Sequence, residues 1–327
     1  MLRRLVGLTV LLILGTGVLP AQQSGSHPLN QDEVYRLIKQ DKHQTDLIEK
    51  TLHEQGVDFD LNPDIEQKMR KAGANDQILQ AIWVAGPTVR NFKGAVLTSA
   101  TGSPLTSTYK EAMGYKTLEQ ASDPDTKVRM AMEFAQTFPN SELLSYVFTQ
   151  AAAAFQQKSD FPNAVKTGRR SLELDHDNTY SLLVVATSLS EPSMVRNSAD
   201  NGAKELEEAQ SDAQRALSLL PELPARPNEA SEQFAARKAG IEASAHAALG
   251  SVAMQEEKYN EAIDEFKKAI SLSQPPKPSL YFRLGEIYSN VGEKQLAIEA
   301  FSKAAELGKG TVIETYATRS LKELQLN

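Results

Sequence analysis

The chain has 327 residues, 24% of them charged and 41% hydrophobic, with a formal net charge of −7. That balance fits a folded soluble chain of roughly two domains, and its acidic excess disfavours nucleic acid and anionic membrane surfaces as partners. No cysteine is present, which excludes disulfides, thiolate metal sites, cysteine nucleophiles and a cysteine-borne lipid anchor.

The N-terminus has the layout of an export signal. Arg3 and Arg4 are followed by an apolar run from Leu5 to Leu19 and then by Pro20-Ala21. The run is shorter than the roughly 20 residues of a membrane-spanning helix, so residues 1–21 are expected to be a signal peptide cleaved after Ala21. An uncleaved N-terminal anchor is the alternative. Taking Arg3 and Arg4 from the 35 basic residues leaves 33 against 42 acidic ones, a net charge of −9. An exported, cysteine-free chain points to a periplasmic or secreted bacterial protein.

Residues 30–84 form a small helical module. Asn30 with Glu33 has capping-box spacing, and Val34, Leu37 and Ile38 share one helical face. A second helix carries Leu47, Ile48 and Leu52 and stops at Gly56. Asn62-Pro63 opens a third helix, which Ala72-Gly73 ends. Asn75 caps a fourth, bearing Ile78, Leu79, Ile82 and Trp83. These are two copies of one helix-turn-helix: Val34 matches Ile65, Ile38 matches Met69, Leu47 matches Ile78, Ile48 matches Leu79 and Leu52 matches Trp83. Phe59 and Leu61, between the copies, are expected to plug the core. The second helices carry mixed charge, which argues against DNA reading; a docking or spacer module is expected. Residues 85–107 read as a linker, with Thr98-Ser99-Ala100-Thr101-Gly102-Ser103-Pro104 at its centre.

From Thr108 onward the pattern is helical throughout. Leu249-Gly250 leads to Ala262, Phe266 and Ala269, and Leu284-Gly285 leads to Ala297, Phe301 and Ala304, an interval of 35 residues. A fixed period of this size means stacked helix pairs that bury their apolar faces on one another. Pairs are expected at about 108–141, 145–178, 179–223, 243–277 and 278–311, with a capping helix at 312–325. Insertions interrupt the series at 191–202 and 221–235.

The glycine-alanine-phenylalanine-alanine spacing resembles tetratricopeptide repeats, with the family's first-helix tyrosine at Tyr288 and Ala253 in its place one copy earlier. The resemblance implies an all-α tetratricopeptide superhelix, or α-solenoid, preceded by the small helical module. It implies that Gly250 and Gly285 let paired helices approach, that Ala262 and Ala297 sit at the helix crossing, and that Phe266 and Phe301 fill the gap to the next unit. In the 145–178 copy Ala152 takes the glycine's place and Gly168 stands where an aromatic is usual. The Phe138-Pro139-Asn140-Ser141 ending is similar to repeats of bacterial cell-envelope proteins. The resemblance further implies a concave, partner-binding groove lined by Tyr146, Thr149, Gln156, Tyr180, Ser251, Gln255, Phe282, Glu286 and Asn290. These residues lack the Lys and Asn set that clamps a peptide carboxylate in chaperone-binding members.

Enzyme motifs occur only as fragments. Ser107-Thr108-Tyr109-Lys110, Lys166-Thr167-Gly168 and Tyr288-Ser289-Asn290 imitate the elements of serine β-lactam enzymes in the wrong order. His53-Glu54 lacks the second histidine of a zinc protease helix, and Gly308-Lys309-Gly310 lacks the Ser or Thr of a phosphate loop. His27, His43, His176 and His246 are scattered without ligand spacing, with His176 expected in a turn and His246 inside a helix pair. No catalytic residue, metal, nucleic acid or small-molecule cofactor is expected. The expected function is a protein-interaction scaffold of the bacterial envelope that binds a protein or peptide in its groove. The alternatives are a β-lactam-reactive, peptidoglycan-linked enzyme, or an assembly subunit docking through the two insertions.

Overall fold

The computed structural model describes residues 27–41, 43–87, 108–198, 202–225 and 229–326. The signal peptide, most of the linker with Ser107, and parts of both insertions lie outside the described residues. All regular elements among them are helical, apart from an isolated bridge between Leu29 and Val57. The chain divides into two compact units, one ending at Pro87 and the other beginning at Thr88.

The first unit holds α1 (Gln31–Gln40), α2 (Thr45–Gln55), α3 (Pro63–Ala72) and α4 (Asp76–Ala85). The expected capping box is formed: Asn30 Oδ1 accepts from the Glu33 amide at 3.1 Å, and Glu33 Oε2 accepts from the Asn30 amide at 2.9 Å. Asn62 and Asn75 cap α3 and α4 in the same way. Gly56 and Gly73 take positive φ of 74° and 113°, where a side chain would be strained. The two copies pack on each other, α1 against α3 and α2 against α4, so neither copy covers its apolar face alone. Phe59 and Leu61 are buried among them. Their segment is tied down by Val57, whose amide donates to the Ala85 carbonyl at 3.1 Å. Leu47 departs from expectation: it is 45% exposed, while its counterpart Ile78 is fully buried. The repeat is one of backbone, and only one copy needed that position for the core.

The second unit is a series of antiparallel helix pairs, each packed on the next. They are α5 (Tyr109–Gln120) with α6 (Pro124–Thr137), α7 (Leu144–Gln157) with α8 (Phe161–Leu174), and α9 (Thr179–Leu189) with α11 (Ala203–Leu219). Then come α12 (Ser231–Gln255) with α13 (Tyr259–Leu272), α14 (Pro278–Asn290) with α15 (Lys294–Leu307), and a last helix, α16 (Val312–Leu326). A short helix, α10 (Pro192–Arg196), lies between α9 and α11.

Glycine sets the closest approaches. A Cβ on Gly285 would stand 2.7 Å from Phe301 Cδ1, and one on Gly250 would stand 3.0 Å from Phe266 Cδ2. The phenylalanine rings therefore lie on the glycine of their own pair, rather than only bridging to the next one. In the α7–α8 pair the small residue has changed sides. A Cβ on Gly168 would meet Val185 of α9 at 2.6 Å, so a valine from the following pair fills the space an aromatic would take. Ala262 and Ala297 have no exposed surface. Ala297→Leu is expected to overpack its crossing and to cost about 1–3 kcal/mol; a thermal melt matching the parent's would place Ala297 elsewhere.

The described residues of both insertions pack against the helix pairs. Val195 and Met194 of α10 pack with Leu189, Leu206 and Val252. The interval 221–235 is shorter than the sequence suggests, because α12 already starts at Ser231. The run Phe234-Ala235-Ala236-Arg237-Lys238 is made of residues that a helix accommodates. Leu220 and Leu223 pack with Leu182, Leu183 and Ile241. Arg237 of α12 donates to Glu229 at 2.7 Å and to the Pro224 carbonyl at 2.8 Å.

Candidate functional site

The first helices of the pairs are α5, α7, α9, α12 and α14, with α16 continuing the series. The positions expected to face a partner lie on them. Tyr146 of α7 is half-buried and meets Tyr115 of α5 edge-on, with centroids 6.4 Å apart. Burial pushes its phenol well above the ordinary range, with the Asp175 charge adding to the effect. Gln156 joins α7 to α9: its amide donates to Thr187 at 2.7 Å and Ser188 at 3.1 Å. Tyr180 is 37% exposed at the start of α9. Ser251 and Gln255 are half-buried on α12. Phe282 of α14 is half-buried, 5.4 Å from Phe301 and 6.3 Å from Tyr316 between centroids. Glu286 accepts from Arg283 at 3.0 Å, and Asn290 is exposed as the last residue of α14.

Thr149 does not belong to this side. It is buried, and its hydroxyl lies in a network that joins three helices. Thr149 is 2.6 Å from Ser181 of α9 and 3.1 Å from Ser171 of α8. Ser171 donates to the Ser145 carbonyl at 2.7 Å, Ser181 donates to Ser171 at 2.8 Å, and the Asn178 amide donates to Ser145 at 2.9 Å. Buried hydroxyls need hydrogen-bond partners, and here small polar side chains from three helices supply them to one another. Spacing alone placed Thr149 on an outer face because such a network is assembled from residues far apart in sequence.

Sequence reasoning also missed Arg283, Glu191 and Tyr316. Arg283 Nη2 donates to Glu191 at 2.9 Å, a bond across 92 residues. Tyr316 is 45% exposed on α16, with Arg319 6.0 Å from its ring centroid. The capping helix exposes Arg319, Lys322 and Glu323 and, besides these, Val312 and Tyr316, the latter 6.3 Å from Phe282 between centroids. The histidines sit in unlike places. His246 is half-buried against Glu265 at 2.6 Å, and His176 is 67% exposed beside Asp177. Lys166-Thr167-Gly168 lies inside helix α8 and Tyr288-Ser289-Asn290 ends α14, so neither stands on the strand that a β-lactam enzyme uses.

A carboxylate on the second helices has an unusual environment. Burial pushes Asp212 of α11 up to about 6, the nearby Glu208 adds to this, and Arg215 and Arg169 oppose it. Its Oδ2 accepts no hydrogen bond among the described residues. Arg215 instead donates to Asp177 at 2.7 Å, and Arg169 to Glu208 at 2.8 Å. The folded-state value lies above the ordinary 3.8. The ionised group therefore penalises the fold above pH 6, and the penalty fades as pH falls towards 4. Asp212→Asn is expected to raise the melting temperature at pH 7.5 and to leave it unchanged near pH 4. Melts at the two pH values read this, and equal shifts at both would remove the buried charge as the cause.

Stacked two-helix units with a ring set on a helical glycine define an all-α tetratricopeptide superhelix. The chain contains such repeats: residues 243–275 and 278–307 match the tetratricopeptide repeat model. Among solved structures it is similar to a thermophilic tetratricopeptide protein of Thermus thermophilus, at 15% identity over 66% of this chain and 97% of that one, with a TM-score of 0.47. It is also similar to Bacillus thuringiensis PlcR, solved in complex with the peptide PapR7 and DNA, at 14% identity over 88% and 98% of the two chains and a TM-score of 0.43. Human IFIT1, a dimer with PPP-AAAA, aligns at 15% identity over 90% of this chain and 62% of that one, with a TM-score of 0.44. No curated protein matches the chain. No helix among the described residues is long and apolar enough to cross a membrane.

Proposed function

We propose that this protein is a non-enzymatic scaffold of the bacterial cell envelope that holds a protein or peptide segment along the first-helix side of its repeats. The observation that carries the reading is the chemistry of that side. Helices α7 and α9 contain no charged residue, and their half-buried or exposed positions include the rings, amides and hydroxyls of Tyr146, Gln156, Tyr180 and Thr187 beside the aliphatic Ala153 and Val184. Phe282 and Tyr316 extend the aromatic character to the end of the stack. A surface of this kind suits a neutral extended or helical segment held by amide hydrogen bonds and ring contacts. The export reading rests on Arg3, Arg4 and the apolar run to Leu19.

Mature protein beginning at Gln22, carrying a photoreactive residue at Gln255, Asn290 or Arg196, tests the reading in envelope extract. Partner crosslinks are expected from Gln255 and Asn290. Crosslinks from Arg196 alone would transfer binding to the insertion and make the protein an assembly subunit. N-terminal sequencing of the exported product is expected to begin at Gln22; a product retaining Met1 in the membrane fraction would replace the signal peptide with an anchor.

A further inference from the structure

In a solenoid each repeat touches only its neighbours, so curvature comes from small rotations that add along the stack and each joint can flex separately. Among the described residues, the ion pair of Glu191 with Arg283 departs from that rule. Glu191 follows α9 in the third pair, and Arg283 lies on α14 in the fifth. Their side chains meet at 2.9 Å. The fourth pair stands between them: α12 packs on α9, and α13 packs on α14. The bond therefore passes α12 on the first-helix side and connects two pairs that are not neighbours.

Both ends are firmly mounted. Glu191 leads into α10, whose Val195 and Met194 are seated on α9, α11 and α12. Arg283 also bonds Glu286, at 3.0 Å through Nη1, and this leaves Nη2 to make the bond to Glu191 by itself. The side chains of Glu191 and Arg283 are 31% and 25% exposed, so the pair is partly desolvated and still open to salt. The Glu191 side chain makes no capping bond to α10, so holding that helix together is not its task.

We propose that the Glu191–Arg283 bond is a clasp that fixes the opening of the first-helix side by tying the 191–198 insertion to α14 past α12. One bond between second neighbours constrains two joints at once, which separates it from an ordinary surface ion pair. The insertion then has a purpose in the repeat series: it carries a carboxylate to a place no regular repeat position reaches. The clasp is a property of the free protein and does not depend on whether the first-helix side binds a peptide, so a groove that captured nothing would leave it standing.

Hydrogen exchange of the full mature chain tests it, using Glu191→Gln, Arg283→Gln and Glu286→Gln. Glu191→Gln is near-isosteric and keeps the fold. Exchange in both 192–198 and the first turns of α14 is expected to rise by about two- to fivefold in Glu191→Gln and in Arg283→Gln, the range such a pair commands. The double variant should be no faster than either single one, and small-angle scattering should show a larger radius of gyration. Glu286→Gln keeps the long-range bond and should leave 192–198 at the parent rate. Unchanged exchange at the far end of either broken pair, an additive double variant, or an equal effect from Glu286→Gln would overturn the clasp.

Discussion

Phe301→Ala is expected to cost the repeat unit about 3–5 kcal/mol, the usual loss for truncating a buried aromatic residue. Phe301 is 2% exposed and belongs to the core shared by the last two pairs and α16. Its ring lies over Gly285 so closely that a Cβ there would stand 2.7–2.9 Å from three ring atoms. Removing it leaves a void against the backbone of α14. It also removes the ring contact with Phe282, at 5.4 Å between centroids. Urea unfolding monitored by circular dichroism would read the loss, and a cost under about 1 kcal/mol would mean that the core refills easily.

The same contact predicts a coupling. Gly285→Ala alone replaces glycine in a helix, a gain of about 1 kcal/mol in propensity. The clash with a ring that cannot leave should outweigh it, for a net loss of about 1–3 kcal/mol. In a Phe301→Ala background the clash is gone, and Gly285→Ala should stabilise. A Gly285→Ala effect of the same sign and size in both backgrounds would dissociate the glycine from the ring.

Ser171→Ala is the second large effect. Ser171 has no exposed surface, and its hydroxyl bonds Ser145 twice, Thr149 and Ser181. Deleting one oxygen strips a partner from three buried hydroxyls. A buried polar group left short of a partner costs about 1–3 kcal/mol. The exposed Ser218, which bonds only the Arg215 carbonyl at 2.8 Å, is the control: Ser218→Ala should stay within about 0.5 kcal/mol of the parent. Thermal melts of the two variants side by side make the comparison. Equal small shifts would show that the α7–α8–α9 junction relaxes to re-pair its hydroxyls.

The outline of the molecule was legible because it is written in local chemistry. The Asn30–Glu33 box, the Asn62 and Asn75 caps, Gly56 and Gly73 all act within four residues of themselves, so the chain settles those helix ends whatever surrounds them. The 35-residue spacing of Gly250, Phe266, Gly285 and Phe301 is likewise a statement about neighbouring helices. Partner contacts between distant pairs have no such signature. Thr149 is buried because Ser171 and Ser181 arrive beside it. Leu47 stays exposed because only Ile78 was needed inside. Glu191 meets Arg283 because the insertion reaches α14 past an intervening pair. Sequence by itself determined the paired helices, the ends that caps and glycines mark and the repeat, though not the start of α12 at Ser231 or the short α10, since hydrogen bonding and packing at short range depend on nearby residues. Only tertiary structure decided which faces are covered, which hydroxyls find one another and which charges close across the stack, since burial and pairing depend on what another part of the chain brings into range.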